Sequence, residues 1–379
     1  MRIGFDIRPF LKRETGVGVY CRNLLFHLAQ IDPTNEYFLF SSSLKDRFPL
    51  QKIPPFPRKE FRHFRFPVRL VNLFWYKLSW PPLDYFFRTD LDLAHSPTPL
   101  ILPTKGKKIV TVYDLFFMDF PFMTDRETRQ NFATQIKGSL LKADGIVAIS
   151  EFTKSQLLER FALDEKKVKV IYLGLGREFH TDISVEEEDE VRKKFSLPPS
   201  FILFVGAIEP RKNLLKLIEA LKIVHENHKE ILLVIVGQKG LDSKNLEKKI
   251  NQLELRDWVK MMDYLPDKEV RAFYRLASVF AFPSLCEGFG LPLLEAMAIG
   301  LPIVTSKSSA MPEIAQDVAL YFHPEDPEDM ADKLILALRD EELRKTMSEK
   351  GKRRALDFDW NTTAAETLSF YEYIFHKQG

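Results

Sequence analysis

The chain has 379 residues, a length that suits two domains of ordinary size better than a single core. Hydrophobic residues make up 45% of the chain and charged residues 28%, so the composition is that of a globular protein. The formal net charge of +2 excludes a global polyanion partner, and we expect no nucleic-acid binding.

The two cysteines, Cys21 and Cys286, are too few for a disulfide framework or a structural zinc site. We therefore expect a cytoplasmic protein, because a reducing compartment is the default for such a chain. The N-terminal residues enter a strand pattern directly, which predicts that no signal peptide is present. We also expect no transmembrane helix, because no uninterrupted apolar run is long enough.

The first strand is indicated by the alternation of Ile3, Phe5 and Ile7. Gly16 and Gly18 follow it and precede apolar residues at helical spacing, which are Val17, Tyr20, Leu24 and Leu28. Glycines between a strand and a helix let backbone N–H groups approach a phosphate, although a plain loop fits equally well. An oxidoreductase is disfavoured because the dinucleotide fingerprint lacks its third glycine and its acidic residue.

Basic and aromatic residues are interleaved over residues 52–88, where eight lysines and arginines are opposed only by Glu60 and Asp84. Two interpretations are open. The segment could rest on an anionic membrane surface, on its cytoplasmic face, or grip a lipid-linked acceptor. It could equally be a helix packed by its aromatics with a solvated basic face, and we favour this structural interpretation.

Further strands, predicted at residues 91–95, 108–113, 145–149 and 168–172, are separated by helical patterns, which favours a parallel, doubly wound sheet. Asp90 and Asp92, like Asp357 and Asp359, form an Asp-x-Asp tripeptide of the kind that holds a divalent metal in some sugar-nucleotide enzymes. Such tripeptides are common, and we predict no metal site. Residues 179–199 are predicted to be a linker that carries a short, charged surface helix.

A second α/β domain is predicted from Phe201 onward, because the apolar segments FILFVG, ILLVIVG, WVKMMDY, SVFAFP, LPIVTS and VALYF read as strands. Arg211 and Lys212 follow the first of them, just before a helix whose apolar face is Leu214, Leu217, Ile218, Leu221 and Val224. Ligands of open α/β sheets bind at the carboxyl ends of strands. An adjacent Arg and Lys there could clamp a diphosphate.

The stretch PSLCEGFGLPLLEAMAIGLPIV, residues 283–304, carries two carboxylates, Glu287 and Glu295, around a Gly-Phe-Gly turn. Pro292 suits the first turn of a helix, which would place Glu287 in the loop and Glu295 within the first helical turn. Backbone N–H groups and the positive helix end would then converge on an anion or on sugar hydroxyls. A pair of ordinary surface glutamates is the plain alternative.

This stretch, preceded by VGAIEPRKNLLKLIEAL, resembles the retaining nucleotide-sugar glycosyltransferases of family 4. The resemblance extends over nearly the whole chain, through FDIRPF, TGVGVYCRNLL, VAISEFTKSQLL, VIYLGLGREF and DFDWNTTAAETLSFYEYI. It implies an α/β chain with the GT-B fold, in which two facing Rossmann-like domains enclose a cleft and a C-terminal helix crosses back. The implied divisions are a first, acceptor-side domain at 1–178, a linker at 179–199, a nucleotide-sugar domain at 200–360 and the returning helix at 361–379.

The resemblance also implies the reaction, which is transfer of a hexose from a nucleoside-diphosphate sugar to an acceptor hydroxyl with retention and without a metal or other cofactor. Arg211 and Lys212 match the pair that neutralises the leaving diphosphate. Glu287 matches the carboxylate beside the transferred sugar, and Glu295 matches the one that accepts the ribose hydroxyls. The remaining donor-binding positions implied by the resemblance are Gly16, Gly18, Gly206, Phe289, Gly290 and Leu291.

The acceptor side departs from the family pattern. Many relatives have His-Asp where this chain has Tyr113 and Asp114, and that histidine normally lies beside the sugar or acceptor. Tyr113 could donate a hydrogen bond but is a poor base near neutral pH, so Asp114 is the alternative candidate. His95 is a further acceptor-side candidate, although a lone histidine at a strand end is more often structural.

The EPRKN form resembles mannosyltransferases of polysaccharide and O-antigen assembly, so we expect GDP-mannose as donor and a glycan or lipid-linked acceptor. A nucleotide-sugar epimerase of the same fold would act on the donor alone. A phosphorylase would need a lysine that bears pyridoxal phosphate, and no such lysine can be placed. A non-catalytic subunit that binds a sugar nucleotide is the alternative outside the enzymes.

Overall fold

The computed structural model describes residues 1–11, 16–124, 132–181 and 183–377. The chain forms two compact units. The first contains Met1–Gly174 and the C-terminal segment from Asp359, and the second is Leu175–Phe358. Part of the glycine loop, residues 12–15, lies outside the described residues.

The first unit is built on a seven-stranded sheet with the order β3-β2-β1-β4-β5-β6-β7, in which every recorded strand pair is parallel. Its strands are β1 (Arg2–Asp6), β2 (Glu36–Ser42), β3 (Lys59–Phe64), β4 (Leu93–Ser96), β5 (Lys107–Val112), β6 (Gly145–Ala148) and β7 (Val168–Val170). The predicted doubly wound sheet is confirmed, because the strand order reverses at β1 and crossovers place helices against the sheet.

Helices α1 to α6 belong to this unit and are α1 (Gly16–Ile31), α2 (Val68–Leu73), α3 (Leu83–Phe87), α4 (Phe116–Asp119), α5 (Thr134–Lys142) and α6 (Glu151–Arg160). The helical spacing predicted for α1 is confirmed, since Tyr20, Leu24 and Leu28 are all buried. Helix α6 begins at a capped terminus, where the side chain of Ser150 accepts a hydrogen bond from the backbone N–H of Thr153.

The basic, aromatic segment 52–88 is not one helix, so this part of our preferred interpretation was wrong. Its first part is the edge strand β3, followed by α2, a π-helix at Phe74–Leu78 and α3. The aromatic residues do pack as expected: Trp75 is buried, and its ring lies 4.8 Å from that of Phe40. The helical prediction failed because closely spaced aromatics satisfy strand and helix periodicities alike.

The second unit is built on a six-stranded sheet with the order β10-β9-β8-β11-β12-β13, again with parallel pairs. The strands are β8 (Phe201–Val205), β9 (Leu232–Val236), β10 (Val259–Met262), β11 (Val279–Phe282), β12 (Ile303–Ser306) and β13 (Ala319–Phe322). All six match predicted segments. Central strands such as β11 are apolar throughout because helices cover both faces of a parallel sheet.

Eight helices described in the second unit are α7 (Val185–Lys194), α8 (Leu214–Asn227), α9 (Ser243–Gln252), α10 (Asp267–Leu276), α11 (Leu291–Ile299), α12 (Met311–Ala315), α13 (Pro327–Arg339) and α14 (Glu341–Ala355). The charged helix predicted near residue 186 is α7. A capping box joins Ser184 and Glu187 at its start. The predicted apolar face of α8 is completely buried.

The C-terminal helix α15 (Trp360–His376) packs within the first unit, as the fold prediction required. Thr363 donates a hydrogen bond to the carbonyl of Tyr172 at 2.8 Å, and Gly174 lies directly against Trp360. A side chain at position 174 would collide with the backbone of Trp360, since a Cβ there would lie 2.3 Å from its nitrogen. No helix in the described ranges is long and apolar enough to span a membrane.

Candidate functional site

The loops that follow β8 and β11 meet at the carboxyl edge of the second unit's sheet. A short 3₁₀ turn, Pro210–Lys212, follows β8. The backbone N–H of Leu285, after β11, donates to the carbonyl of Arg211 at 2.8 Å and joins the two loops. Asn213 then starts α8 in a left-handed conformation (φ 57°), and its side chain donates to the carbonyl of Pro324. These bonds join the two loops to each other and to the segment that follows β13.

One carboxylate holds both basic side chains of this edge. Nη1 of Arg211 donates to Oε2 of Glu287 at 2.8 Å, and Nζ of Lys212 donates to Oε1 at 2.5 Å. Arg211 is further oriented by Glu209, 3.1 Å from its Nε. The backbone N–H of Glu287 donates to Oγ of Ser309 at 2.9 Å. Three of the predicted site residues are therefore brought into direct contact.

Burial and charge act in opposite directions on this cluster. Burial favours a protonated Glu287, but Arg211 and Lys212 outweigh it and lower the pKa of Glu287 to about 2. Burial and the charge of Arg211 lower the pKa of Lys212, while Glu287 acts against that shift. Both side chains of this pair are nearly inaccessible, at 7% for Lys212 and 10% for Glu287. Arg211 is more accessible, with 26% of its side chain exposed.

The Gly-Phe-Gly turn leads into helix α11, which begins at Leu291. Gly290 precedes it with φ 92°, a conformation that a side chain would strain. Phe289 is buried, and its ring meets that of Phe358 edge-on at 5.6 Å. The predicted position of Glu295 within the first helical turn was wrong: it is the fifth residue of α11, because the helix begins at the residue after Gly290.

Glu295 is held by Tyr274 of helix α10. The phenol of Tyr274 donates to Oε2 of Glu295 at 2.8 Å and lies 3.3 Å from the carbonyl of Pro292. Burial raises the pKa of Glu295 to about 7, and the charges of Glu178 and Asp267 act in the same direction, while the bond from Tyr274 opposes them. This carboxyl group consequently titrates near neutral pH, unlike Glu287.

Gly206 follows strand β8 with φ 150°, and its N–H donates to the carbonyl of Val236 at 2.9 Å. A Cβ at this position would lie 3.7 Å from Cε of Lys212 and 3.2 Å from the ring of Phe204. The contact with Lys212 would be an ordinary one, so glycine is favoured here by the backbone conformation and by the close ring of Phe204. Nζ of Lys212 also lies 5.1 Å from the ring of Phe282, in a cation–π arrangement.

Tyr113 and Asp114 follow strand β5, at the carboxyl edge of the first unit's sheet. The phenol of Tyr113 donates to the carbonyl of Pro97 at 3.0 Å, and burial raises the pKa of Tyr113 well above its ordinary value. Tyr113 is thus a neutral hydrogen-bonding group and not a base. Asp114 is half-buried, and its Oδ1 accepts a hydrogen bond from the N–H of Phe116 at 3.1 Å.

His95 is fully buried in β4, a position that does not suit the acceptor-side role expected for it. Its Nδ1 lies 2.6 Å from the hydroxyl of Tyr371, and its Nε2 lies 2.8 Å from the hydroxyl of Thr111. Burial lowers the pKa of His95 to about 3, so the ring is neutral. Because both ring nitrogens have partners within the core, we assign His95 a structural role.

Gly16 is the first residue of α1 and is exposed, and a Cβ there would meet no atom within 4 Å. Gly18 is buried one half-turn further on. The space around position 16 would therefore accept a residue larger than glycine. The phosphate contact proposed for Gly16 and Gly18 rests on the family resemblance.

The Asp-x-Asp aspartates form protein contacts. Asp90 pairs with Lys105 at 2.7 Å, and Asp92 accepts the backbone N–H of Arg2 at 2.7 Å. Asp357 pairs with Arg354 at 2.9 Å, and Asp359 immediately precedes α15. Within the described ranges, no group of three or more His, Cys, Asp or Glu side chains is arranged to hold a metal ion.

Tyr274 and Ser309 were missed by sequence reasoning, although they fix the two central glutamates. Tyr274 lies 21 residues before Glu295, and Ser309 lies 22 residues after Glu287. No local spacing links such distant positions. In the sequence, Ser309 is marked only by its place in the stretch SSAMPEI. In the structure it adopts a left-handed conformation (φ 49°) before helix α12.

Comparisons with known proteins agree with this arrangement. The family described as Glycosyltransferase Family 4 matches residues 15–178, and the family described as Glycosyl transferases group 1 matches residues 185–354. An O-antigen chain mannosyltransferase B of Escherichia coli is 25% identical over 383 residues, covering 99% of this chain and 100% of the relative. The serotype-specific mannosyltransferase WbdA of E. coli is 32% identical over 228 residues, which are 59% of this chain. The match covers only 28% of that relative's length.

A solved structure of sucrose-phosphate synthase from Thermosynechococcus elongatus superimposes with a TM-score of 0.79 at 19% identity, covering 99% of each chain. At that identity the similarity establishes the fold, which is the GT-B fold. The two family matches together extend over both units, and they agree with the motifs read from the sequence. The chain is therefore a family 4 glycosyltransferase of the mannosyltransferase-like kind.

Proposed function

We propose that this glycosyltransferase moves a mannosyl group from GDP-mannose to a hydroxyl of a glycan or lipid-linked acceptor, with retention of the anomeric configuration and without a metal ion. The choice of mannose is supported by the relatives named as mannosyltransferases, one of which matches 99% of this chain. The choice of a nucleoside-diphosphate donor is supported by the adjacent Arg211 and Lys212 at the carboxyl edge of the second unit's sheet.

The observation that carries the proposal is the contact of Arg211 and Lys212 with one carboxylate, Glu287. Two cations held in fixed positions form a preorganised site for charge that develops on a leaving diphosphate. Lys212 supplies a buried point charge, while Arg211 supplies a planar guanidinium that is partly exposed. Such a site can perform the role of a bound cation, which is why we propose a metal-independent reaction.

Glu287 is proposed to act as a fixed anion beside the transferred sugar. With a pKa of about 2 it is ionised at neutral pH and cannot donate a proton. Both of its oxygens already accept hydrogen bonds from cations, which makes it a weak nucleophile. Its chemistry suits positioning of the basic pair and stabilisation of positive charge on the sugar, in a reaction where the leaving diphosphate itself accepts the acceptor proton.

The ribose and sugar contacts are proposed at the neighbouring turn. Glu295 would accept the ribose hydroxyls through the oxygen atoms that Tyr274 orients. The backbone N–H groups of Phe289, Gly290 and Leu291, at the start of α11, would donate to sugar or phosphate oxygens. Gly206 would admit the donor close to β8, and Gly16 and Gly18 would contact its phosphates.

On the acceptor side we propose Asp114 as the polar contact, with Tyr113 as a neutral hydrogen-bonding neighbour. Asp114 lies at the carboxyl end of β5, where ligands of parallel sheets bind. We further propose a cytoplasmic enzyme that makes peripheral contact with the membrane through residues 52–88. Exposed Trp80 and Tyr85, together with the basic residues of that segment, support this contact.

A thermal-shift panel of GDP- and UDP-sugars tests the donor. A ligand that binds only the folded state at a hundred times its dissociation constant adds ~2.7 kcal/mol to the free energy of unfolding. We expect stabilisation by GDP-mannose, and none by UDP-glucose at the same concentration. Stabilisation by UDP-glucose alone would overturn the donor assignment but leave the glycosyltransferase assignment intact.

A further inference from the structure

A large cavity lies in the first unit beside the edge strand β3. Its volume is about 940 Å³, and its walls are formed by the segment between Arg62 and Thr89 together with Asp90 and Lys105. Most of its wall is aromatic or aliphatic, from Phe66, Leu70, Phe74, Trp80, Tyr85 and Phe86. Small-molecule sites generally have volumes of about 300–1,000 Å³ and mainly apolar walls, so this cavity has the dimensions of a ligand site.

The apolar residues of the cavity are unusually accessible. Tyr85 is 71% exposed, Trp80 59%, Phe66 50% and Leu70 49%. Large apolar side chains that are exposed together on one surface indicate a binding site, whereas isolated ones do not. The cavity is distinct from the candidate donor site, because Arg211, Lys212, Glu287 and Glu295 are not among its lining residues.

The polar groups of the cavity are of two kinds. Buried Asp84 is satisfied by the protein, because it accepts hydrogen bonds from the N–H of Leu91 and the hydroxyl of Thr104. Lys105 pairs with Asp90. Arg88 is exposed and forms no ion pair with any residue that the structure describes, so its charge is available to a ligand.

Arg88 also occupies a backbone position that does not suit arginine. It ends helix α3 in a left-handed conformation (φ 55°), and its N–H donates to the carbonyl of Asp84. Glycine or asparagine adopts this conformation at least cost, and glycine is the usual residue at a helix end of this type. A glycine at position 88 would therefore adopt the same backbone conformation without strain.

We propose that this cavity binds the hydrocarbon chain of a single-chain, phosphate-bearing lipid, with the chain against Phe66, Leu70 and Phe74 and the phosphate on Arg88. Arg62 also lines the cavity, but its guanidinium is paired with Glu60 at 2.5 Å and donates to the carbonyl of Phe86 at 2.8 Å, so the phosphate contact is assigned to Arg88 alone. Arg65, Arg69 and Lys77 are exposed on the same segment and add to the positive potential.

The depth of this open, concave cavity favours one captured chain over mere contact with a bilayer. A membrane-surface contact needs exposed aromatic and basic residues but no cavity behind them. A captured chain needs exposed aromatic and basic residues together with a cavity behind them, and this segment has all of these. The inference deepens the proposed function, since it assigns the lipid part of a lipid-linked acceptor to a site in the first unit.

The test measures binding of farnesyl phosphate, geranyl phosphate and farnesol to the full chain by titration calorimetry, below their aggregation concentrations. We expect farnesyl phosphate to bind at least tenfold more tightly than geranyl phosphate, because the longer chain buries more apolar surface. Farnesol should bind more weakly than farnesyl phosphate because it lacks the charge. Equal binding of the two phosphates would overturn the proposal.

Two variants separate the chain from the phosphate. Leu70→Trp fills the cavity and should weaken farnesyl phosphate binding at least tenfold, whereas Leu241→Trp, at a site 62% exposed in the second unit, should not. Arg88→Gly removes the charge and relieves the left-handed backbone, so it should fold at least as stably as the parent. It should weaken farnesyl phosphate binding while leaving farnesol binding unchanged.

Stabilisation by GDP-mannose, measured on the same preparations, reports the donor site separately. If the parent does not bind farnesyl phosphate but is still stabilised by GDP-mannose, the lipid site is overturned and the proposed function is not. Binding to phosphatidylglycerol vesicles that is unaffected by Leu70→Trp, with no binding of soluble farnesyl phosphate, would replace the captured chain with a membrane-surface contact.

Discussion

Nζ of Lys212 donates a hydrogen bond to Oε1 of Glu287 at 2.5 Å, and both side chains are almost completely buried. Two buried charges of opposite sign depend on each other, because removal of either leaves the other without compensation in a region of low polarity. Arg211 adds a third charge to the same carboxylate. The stability of the second unit and its proposed donor chemistry therefore share one cluster of residues.

Glu287→Gln should lower the free energy of unfolding at neutral pH by about 3–5 kcal/mol, because it leaves Lys212 and Arg211 without their counter-ion. The measurement is urea unfolding. Glu325→Gln, at an exposed glutamate of the same unit, should change the free energy by less than about 0.5 kcal/mol and serves as the control. Equal effects of the two substitutions would show that the cluster contributes nothing special.

The stabilities of the parent and of Glu287→Gln should depend differently on pH. The pKa of Glu287 is lowered in the folded state, from 4.5 to about 2, so its stabilisation is complete above pH 4.5 and is lost as the pH falls through 2. The parent should lose about 3 kcal/mol more than Glu287→Gln between pH 5.5 and pH 2. Parallel stability curves for the two proteins over this range would contradict the assignment of an ionised Glu287.

Glu295 should show the opposite dependence. Its pKa is raised in the folded state, from 4.5 to about 7, so its contribution is fully present below pH 4.5 and is lost as the pH rises through 7. Measured by thermal unfolding, the stability of Glu295→Gln relative to the parent should therefore increase between pH 4.5 and pH 7.5. Tyr274→Phe removes the hydrogen bond that lowers this pKa and should move the transition to higher pH. A transition at unchanged pH in Tyr274→Phe would contradict the role of that bond.

Tyr371→Phe should destabilise the first unit by about 1–3 kcal/mol, because it leaves Nδ1 of buried His95 without a partner. Tyr373→Phe is a matched control on the same helix, since the side chain of Tyr373 is 47% exposed. Thermal unfolding and GDP-mannose binding should be measured together. A loss of GDP-mannose binding in Tyr371→Phe without loss of stability would contradict the structural role assigned to His95.

Much of the fold could be predicted from the sequence because both sheets are parallel and buried. The central strands β8, β9 and β11 of the second unit read as continuous apolar runs, and the face of α8 recurs at helical spacing. Strand β3 could not be distinguished in the same way. It is an edge strand of half-buried and exposed residues, in which Phe61 and Phe64 recur three residues apart, at the spacing of a helix face.

The site was only partly predictable for a similar reason. The Arg-Lys pair and the two glutamates form local motifs with a recognisable order. Tyr274 and Ser309 touch those glutamates from other elements, and only the tertiary fold brings them near. His95 was an acceptor-side candidate, although its place near the end of a strand already favoured a structural role. Its partner Tyr371 lies 276 residues away, a relationship that no local pattern contains.

The central claim, that Arg211 stabilises a leaving diphosphate, is tested most directly by the rate of mannose transfer from radiolabelled GDP-mannose to a mannose-terminated glycan. Arg211→Ala should lower kcat/KM about a hundredfold or more, equivalent to ~3 kcal/mol of barrier. Arg211→Lys, which keeps the charge but loses the planar donors, should fall between it and the parent. Arg256→Ala, at an exposed arginine of the same unit, should retain the parent's rate. Near-normal transfer by Arg211→Ala would contradict the account.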